Sequence, residues 1–209
     1  MKQVIQIRCK NNKKSQKVEI GSTLFDIFSA FDLKMTHGPV SARVNNKVEG
    51  MHYRVYNSKD VEFLDMTSSS GSRAYTRTLF FVLCKAVQDI YPATDVVIAI
   101  PVSNGFYVDI RLGRPVVDED VNIIRRRMQE IIDARMPIRR FTVPTEEAVA
   151  LFQEKGDVEK VKLLKTSGSI YTTYYKIGDY VDYYYGTLLT NTSQLYLFGL
   201  EKYYDGMLL

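Results

Sequence analysis

Few side chains in this sequence are equipped for bond-breaking chemistry. Histidine occurs only at His37 and His52, in no metal-spaced pattern, and cysteine only at Cys9 and Cys84. Beyond residue 65 there is no histidine at all, so neither a Ser/His/Asp nor a Cys/His nucleophile system can be assembled there. A zinc site in that region would have Cys84 as its sole His/Cys ligand, too few for the metal. P-loop, G-x-S-x-G and C-x-x-C signatures are all missing from the sequence. What remains is carboxylate chemistry from Asp109, Asp179 and Asp182, should the fold bring them together, or structural pairing of the same groups. Carboxylate catalysis therefore stays open at this point, and no metal site is expected.

The elements that must position these groups are legible around residues 77–112. An apolar helical run from Arg77 stops at Tyr91-Pro92. A buried-type strand follows from Asp95 to Ile100, and Asn104-Gly105 turns the chain into a second strand, Phe106 to Leu112. Alternation puts Phe106, Val108, Ile110 and Leu112 on one face and Tyr107, Asp109 and Arg111 on the other. In a later strand, Tyr180 to Tyr185, the same rule groups Tyr180, Asp182 and Tyr184. If both polar sets face one cleft, the pocket is aromatic and carboxylate-lined. Such a pocket suits recognition of a planar polar ligand, or a filled interface.

With 209 residues the chain is long enough for one large domain or two small ones. No apolar run approaches membrane-helix length and the N-terminus carries no secretory signal, so a cytoplasmic location without membrane contact is expected. The net charge of +4 is concentrated: residues 1–65 hold 11 Lys/Arg against 7 Asp/Glu, and the remainder is balanced. Two modules with different surfaces follow. Lys10, Lys13, Lys14 and Lys17 are the candidate nucleic-acid contact of the first.

That first module reads as two strands (2–8 and 17–20) joined by a hairpin at Asn11-Asn12. A short helix capped by Ser22 follows, then strands over 40–44 and 61–64. This is the order of a β-grasp, ubiquitin-like domain. Residues 66–72, MTSSSGS, read as a linker. Asp118 opens an amphipathic helix that Pro137 stops, with Arg125, Arg126, Arg127, Arg135, Arg139 and Arg140 as a basic rim. Short helices follow at Thr145 and at Asp157. Beyond them the Tyr- and Thr-rich stretch reads as strands and hairpins.

These features resemble a known arrangement. Residues 1–65, above all Ser41 to Asp65, resemble a TGS domain, the β-grasp module named partly for threonyl-tRNA synthetase. Residues 73–209 resemble the editing domain of threonyl-tRNA synthetase, shared with alanyl-tRNA synthetase-type proteins. The matching motifs are Ile90-Tyr91-Pro92, Asn104 to Asp109, Asp118-Glu119-Asp120, and Tyr180-Val181-Asp182 with Gly186. The implied fold class is α+β: a ubiquitin-like TGS β-grasp followed by an editing-like α+β domain with antiparallel sheet. The family's His-x-x-x-His and Cys-x-x-x-His cluster falls on Arg77, Phe81, Tyr184 and Leu188, none of which has equivalent chemistry.

Two modules with a degenerate site resemble the N-terminal half of bacterial uridine kinase-like nucleoside kinases, and the abrupt end at Leu209 fits such a lead. The expectation is a non-catalytic accessory region that binds a nucleotide or tRNA ligand or regulates a downstream P-loop kinase domain. ATP and Mg would serve only that downstream domain. The alternative is a tRNA-binding or diverged aminoacyl-tRNA editing module of a threonyl-tRNA synthetase-like protein. The candidate ligand pocket comprises Arg77, Phe81, Tyr107, Asp109, Asp182 and Tyr184. Arg77 would meet an anion there, or pair with Asp109 or Asp182 and plug the site.

Overall fold

The computed structural model describes residues 3–209 other than Ala93, and nothing of the side chain of Ala99. Lys2, at the start of the first expected strand, lies outside the described residues. In chain order the elements are β1 (Val4–Cys9), β2 (Ser15–Glu19), α1 (Leu24–Ala30), β3 (Ser41–Val44), β4 (Lys47–Gly50), β5 (Lys59–Leu64), α2 (Ser69–Ile90), β6 (Val96–Val102), β7 (Gly105–Ile110) and α3 (Asp118–Asp133). They continue with β8 (Arg139–Pro144), α4 (Thr145–Glu154), α5 (Val158–Thr166), β9 (Tyr171–Ile177), β10 (Tyr180–Tyr183), a 3-10 turn (Thr192–Gln194), β11 (Glu201–Tyr203) and β12 (Gly206–Leu208). The chain divides into two compact units, Met1–Met136 with Thr187–Leu209, and Pro137–Gly186.

Val4 to Leu64 contribute a five-stranded sheet ordered β2-β1-β5-β3-β4. β1 pairs antiparallel with β2 but parallel with β5, which is the β-grasp signature the strand order led us to expect. The parallel pairing needs a crossover, and α1 supplies it. Alternation drives Ile7, Cys9, Val61 and Phe63 inward, where they meet Leu24 and Ile27 of α1 and are buried. Cys9 is a buried free thiol, as expected of a reduced structural cysteine.

The cap of α1 is Thr23 rather than Ser22: its hydroxyl accepts from Asp26 N at 3.2 Å while the Asp26 carboxylate accepts from Thr23 N at 2.8 Å. Ser22 instead closes the preceding turn on the Glu19 carbonyl. Thr23→Ala should lower stability by about 1 kcal/mol, read as a shift in the urea midpoint with unchanged slope.

Residues 66–72 do not form a free linker. Ser68 caps α2 through Gly71 N at 3.0 Å, so Ser69 to Ser72 are already its first turn. The β-grasp strands belong to the same compact unit as α2, α3 and the last 23 residues, Thr187–Leu209. Within that unit Tyr196 stacks on His37 with centroids 5.6 Å apart, and its hydroxyl also meets Met66 Sδ. Gln194 donates to Pro39 O, and a Cβ added to Gly50 would lie 3.3 Å from Thr187 Cγ2. The chain's closing residues enter this unit as β12, which pairs with β7 in a four-stranded sheet ordered β11-β12-β7-β6.

The smaller unit is a three-stranded antiparallel sheet, β10-β9-β8, carrying α4 and α5. Ala148, Phe152, Leu164 and Val181 form its core. Arg139 and Arg140, read from sequence as part of a basic helix rim, instead start β8 and pair with Lys176 and Tyr175. Of the helix arginines, Arg127 bridges α3 to α2, with Nε 2.9 Å from Asp89 Oδ2. Asp89 also receives Lys85 Nζ at 3.0 Å, so this part of the rim is spent on packing α2 against α3.

Candidate functional site

The helix that should carry the reacting groups is α2, and its sequence decides which faces it buries. Ala74, Thr78, Phe81, Val82 and Leu83 are buried. Phe81 has no exposed surface, while Arg77 is half-buried. The Thr78 hydroxyl donates to Ala74 O at 2.7 Å and accepts from Leu189 N at 2.8 Å, which bolts the 187–190 segment to the helix. Leu188, next to that bond, is 1% exposed. Two of the three positions at which the resemblance places a histidine thus hold fully packed apolar side chains in the same compact unit.

Tyr107 and Asp109, in the same unit, do not face α2. Phe106 of β7 meets Phe80 of α2 edge-on, with centroids 4.9 Å apart. Alternation then sends Tyr107 and Asp109 to the opposite face of the sheet, away from the helix that carries Arg77. There the Tyr107 ring lies across Gly206, whose added Cβ would sit 2.8 Å from the Tyr107 hydroxyl, and it contacts Tyr203. Burial, then the carboxylates of Asp109 and Asp205, push the Tyr107 hydroxyl above its ordinary pKa. Arg77 is therefore not brought to Asp109, contrary to the expectation of a single polar cleft wall.

Asp182 and Tyr184 lie in the smaller unit. Tyr184 is half-buried and follows β10 directly. Asp182 is 7% exposed and fully engaged. Its Oδ1 lies 2.8 Å from Lys160 Nζ and accepts from Tyr183 N, and its Oδ2 accepts from the Tyr180 hydroxyl at 2.8 Å. Lys160 also meets Asp157 Oδ2 at 2.7 Å and lies 5.7 Å from the centre of the Phe152 ring. Burial acts to lower the Lys160 pKa, but Asp182 and Asp157 outweigh it and hold the ammonium above the ordinary lysine value. Sequence reasoning missed Lys160; its only local signal was the spacing of three residues from Asp157. These contacts of Asp182 all go to groups of its own unit, so its geometry is that of a structural anchor joining β10 to α5.

The basic candidates do converge. Lys10, Lys13 and Lys14 sit in the turn between β1 and β2, and Lys17 lies on β2, the edge strand; all four are exposed. The turn is pinned, because Asn11 accepts from Phe63 N at 2.8 Å and donates to Phe63 O at 2.9 Å, and Lys10 N donates to Val61 O. Lys13 takes a left-handed backbone, φ 59°, which closes the turn. Among the described residues, no group of three or more His, Cys, Asp or Glu could hold a metal ion, and no helix is long and apolar enough to cross a membrane.

A β-grasp sheet followed by α+β structure with antiparallel sheets is the fold class expected from the sequence. No protein-family model matches the chain. Curated relatives do: the chain is 29% identical to the threonine–tRNA ligase of Acetivibrio thermocellus over 86% of its own length and 28% of the relative's. It is 30% identical to that of Clostridium kluyveri over 91% and 30%, and 28% identical to that of Clostridioides difficile over 86% and 28%. The chain thus spans about three tenths of the length of these relatives. They are threonine–tRNA ligases and not kinases, so the expected nucleoside-kinase context has no support among them.

Proposed function

We propose that this chain is a catalytically silent, tRNA-binding region of a threonine–tRNA ligase-like protein. The observation that carries the loss of chemistry is the complete burial of Phe81 and Leu188 where the resemblance requires two histidines. A diverged deacylase driven by carboxylates has less support, since Asp182 is neutralised by Lys160 and Asp109 lies on the far face of its sheet from α2. The RNA contact falls to the exposed lysines of the β1–β2 turn, which sit on the module that holds the whole net positive charge.

The test is a titration of tRNA against the full chain at several salt concentrations. Neutralising Lys10, Lys13, Lys14 and Lys17 together should weaken binding roughly tenfold and reduce the slope of log affinity against log salt by about 2–4. An unchanged slope would remove these lysines from the interface. In parallel, the chain should leave mischarged tRNA unhydrolysed above the buffer rate; measurable turnover would restore the deacylase reading.

A further inference from the structure

Beside the basic turn lies a cavity of about 540 Å³, bounded on one side by the turn and on the other by the loop that follows α1. Two cations line it: Lys14 on the turn and Lys34 on the loop, both exposed. Leu33 and Met35, half-buried against the β-grasp core, add an apolar wall. Asn12 accepts from Lys14 N through Oδ1 at 3.1 Å, and its amide NH2 plays no part in that bond. Asp32 adds one carboxylate as an acceptor. Both banks are held in left-handed backbone, Lys13 at φ 59° and Asp32 at φ 47°. Neither residue is a glycine, and such strain is retained where the surrounding structure over-determines it. The floor is rigid because Asn11 is tied to both backbone groups of Phe63.

We propose that this cavity takes up one nucleoside monophosphate unit. The phosphate lies between the Lys14 and Lys34 ammonium groups, the base lies against Leu33 and Met35, and Asp32 and Asn12 address hydroxyl and amide edges. The volume is of the size that small-ligand sites have, and a lining of two cations, an apolar wall and two polar groups offers a partner for each part of a nucleotide. A simple anion has no use for the apolar wall, and an apolar ligand has none for two lysines. The unit can be a free nucleotide or one unstacked nucleotide of a bound RNA. In the second case the inference rests on the tRNA reading above and gives that contact a base-reading component besides its phosphate contacts.

The test uses the isotope-labelled full chain and amide chemical shifts, with AMP, adenosine and inorganic phosphate as separate probes. AMP should give saturable shifts at residues 12–14 and 32–35, and Lys34→Ala and Asn12→Ala should each weaken its binding by about tenfold or less without altering other signals. Competition of AMP with tRNA assigns the unit to the RNA; binding of both without competition assigns it to a free nucleotide. The inference is overturned if AMP moves none of these signals, or if phosphate alone moves them as far as AMP does. Failure of the wild-type chain to bind tRNA would sink the tRNA reading and leave the AMP result to decide this one.

Discussion

Phe81→His should destabilise the chain by about 3–4 kcal/mol and bring no hydrolysis of mischarged tRNA with it. Phe81 is among the largest fully buried side chains, on a helix bolted to the 187–190 segment through Thr78 and Leu189. A histidine there loses ring contacts and must bury polar nitrogens in a space shaped for a hydrocarbon. Leu188→His should behave alike, at about 2–4 kcal/mol, because that side chain is 1% exposed. Arg77→His is the internal contrast: it is half-buried and should shift stability by less than about 1 kcal/mol. Chemical denaturation of the three single variants and of the combined Arg77, Phe81, Tyr184 and Leu188 restoration measures the pattern. A Phe81→His protein as stable as the wild type, with a histidine that titrates normally, would mean the position is open and the cleft intact. Such a result would reopen the deacylase reading, since the proposed loss of catalysis rests on the packing of Phe81 and Leu188.

The β-grasp half was readable because its signals are local. Asn11-Asn12 and Asn45 each mark a turn; Asn45 adopts φ 54°, whereas in the first turn the left-handed residue is Lys13 and not either asparagine. Ile7, Cys9, Val61 and Phe63 alternate as a half-buried strand must. The parallel pairing of β1 with β5 has no local signal, since it joins residues more than fifty apart; the element order alone implied it. β8 was hidden for a different reason: Arg139-Arg140 continue the basic pattern of α3, so the change from helix to strand at Pro137 reads as a simple stop. β11 and β12 are only three residues each, too short to show alternation, and β12 acquires its meaning from β7, about a hundred residues earlier.

The candidate site divides in the same way. The four lysines of the turn were recognisable because they crowd one short hairpin, and the structure keeps them there, exposed. The candidate pocket grouped Tyr107 and Asp109, on one strand face, with Asp182 and Tyr184, which belong to the smaller unit. Tyr107 and Asp109 were rightly placed on one face, but periodicity cannot say which face meets α2; the Phe80–Phe106 contact says that. Lys160 was invisible because its importance comes from Asp182, 22 residues away in sequence and on a strand that only tertiary folding brings near. The motifs that carried the resemblance most clearly, Tyr91-Pro92 and Asp118-Glu119-Asp120, turn out to hold the scaffold together and contribute nothing to a reactive centre.

That scaffold role makes Asp120→Asn the second large effect expected, about 2–3 kcal/mol of stability lost at neutral pH. Asp120 is 3% exposed at the start of α3. Its carboxylate receives Arg114 through two bonds at 2.6 and 2.8 Å, the Tyr91 hydroxyl at 2.6 Å and Val117 N at 2.9 Å. The end of α2 is thereby tied to the start of α3 and to the 111–117 loop. The Arg114 guanidinium, followed by the Tyr91 hydroxyl and Val117 N, holds the carboxyl well below the ordinary carboxylate range against the opposing effect of burial. A depressed carboxyl contributes stability that is fully present above its unfolded value, about 3.9, and is lost as pH falls toward the folded value. The gap between wild type and Asp120→Asn should therefore be constant from about pH 5 to 8 and close only below about pH 4. Tyr91→Phe removes one neutral donor and should cost about 1 kcal/mol with little dependence on pH in the same range. Urea midpoints at pH 3, 5 and 7 separate the two: a gap for Asp120→Asn that persists undiminished at pH 3 would mean that packing, and not the charge on Asp120, joins α2 to α3.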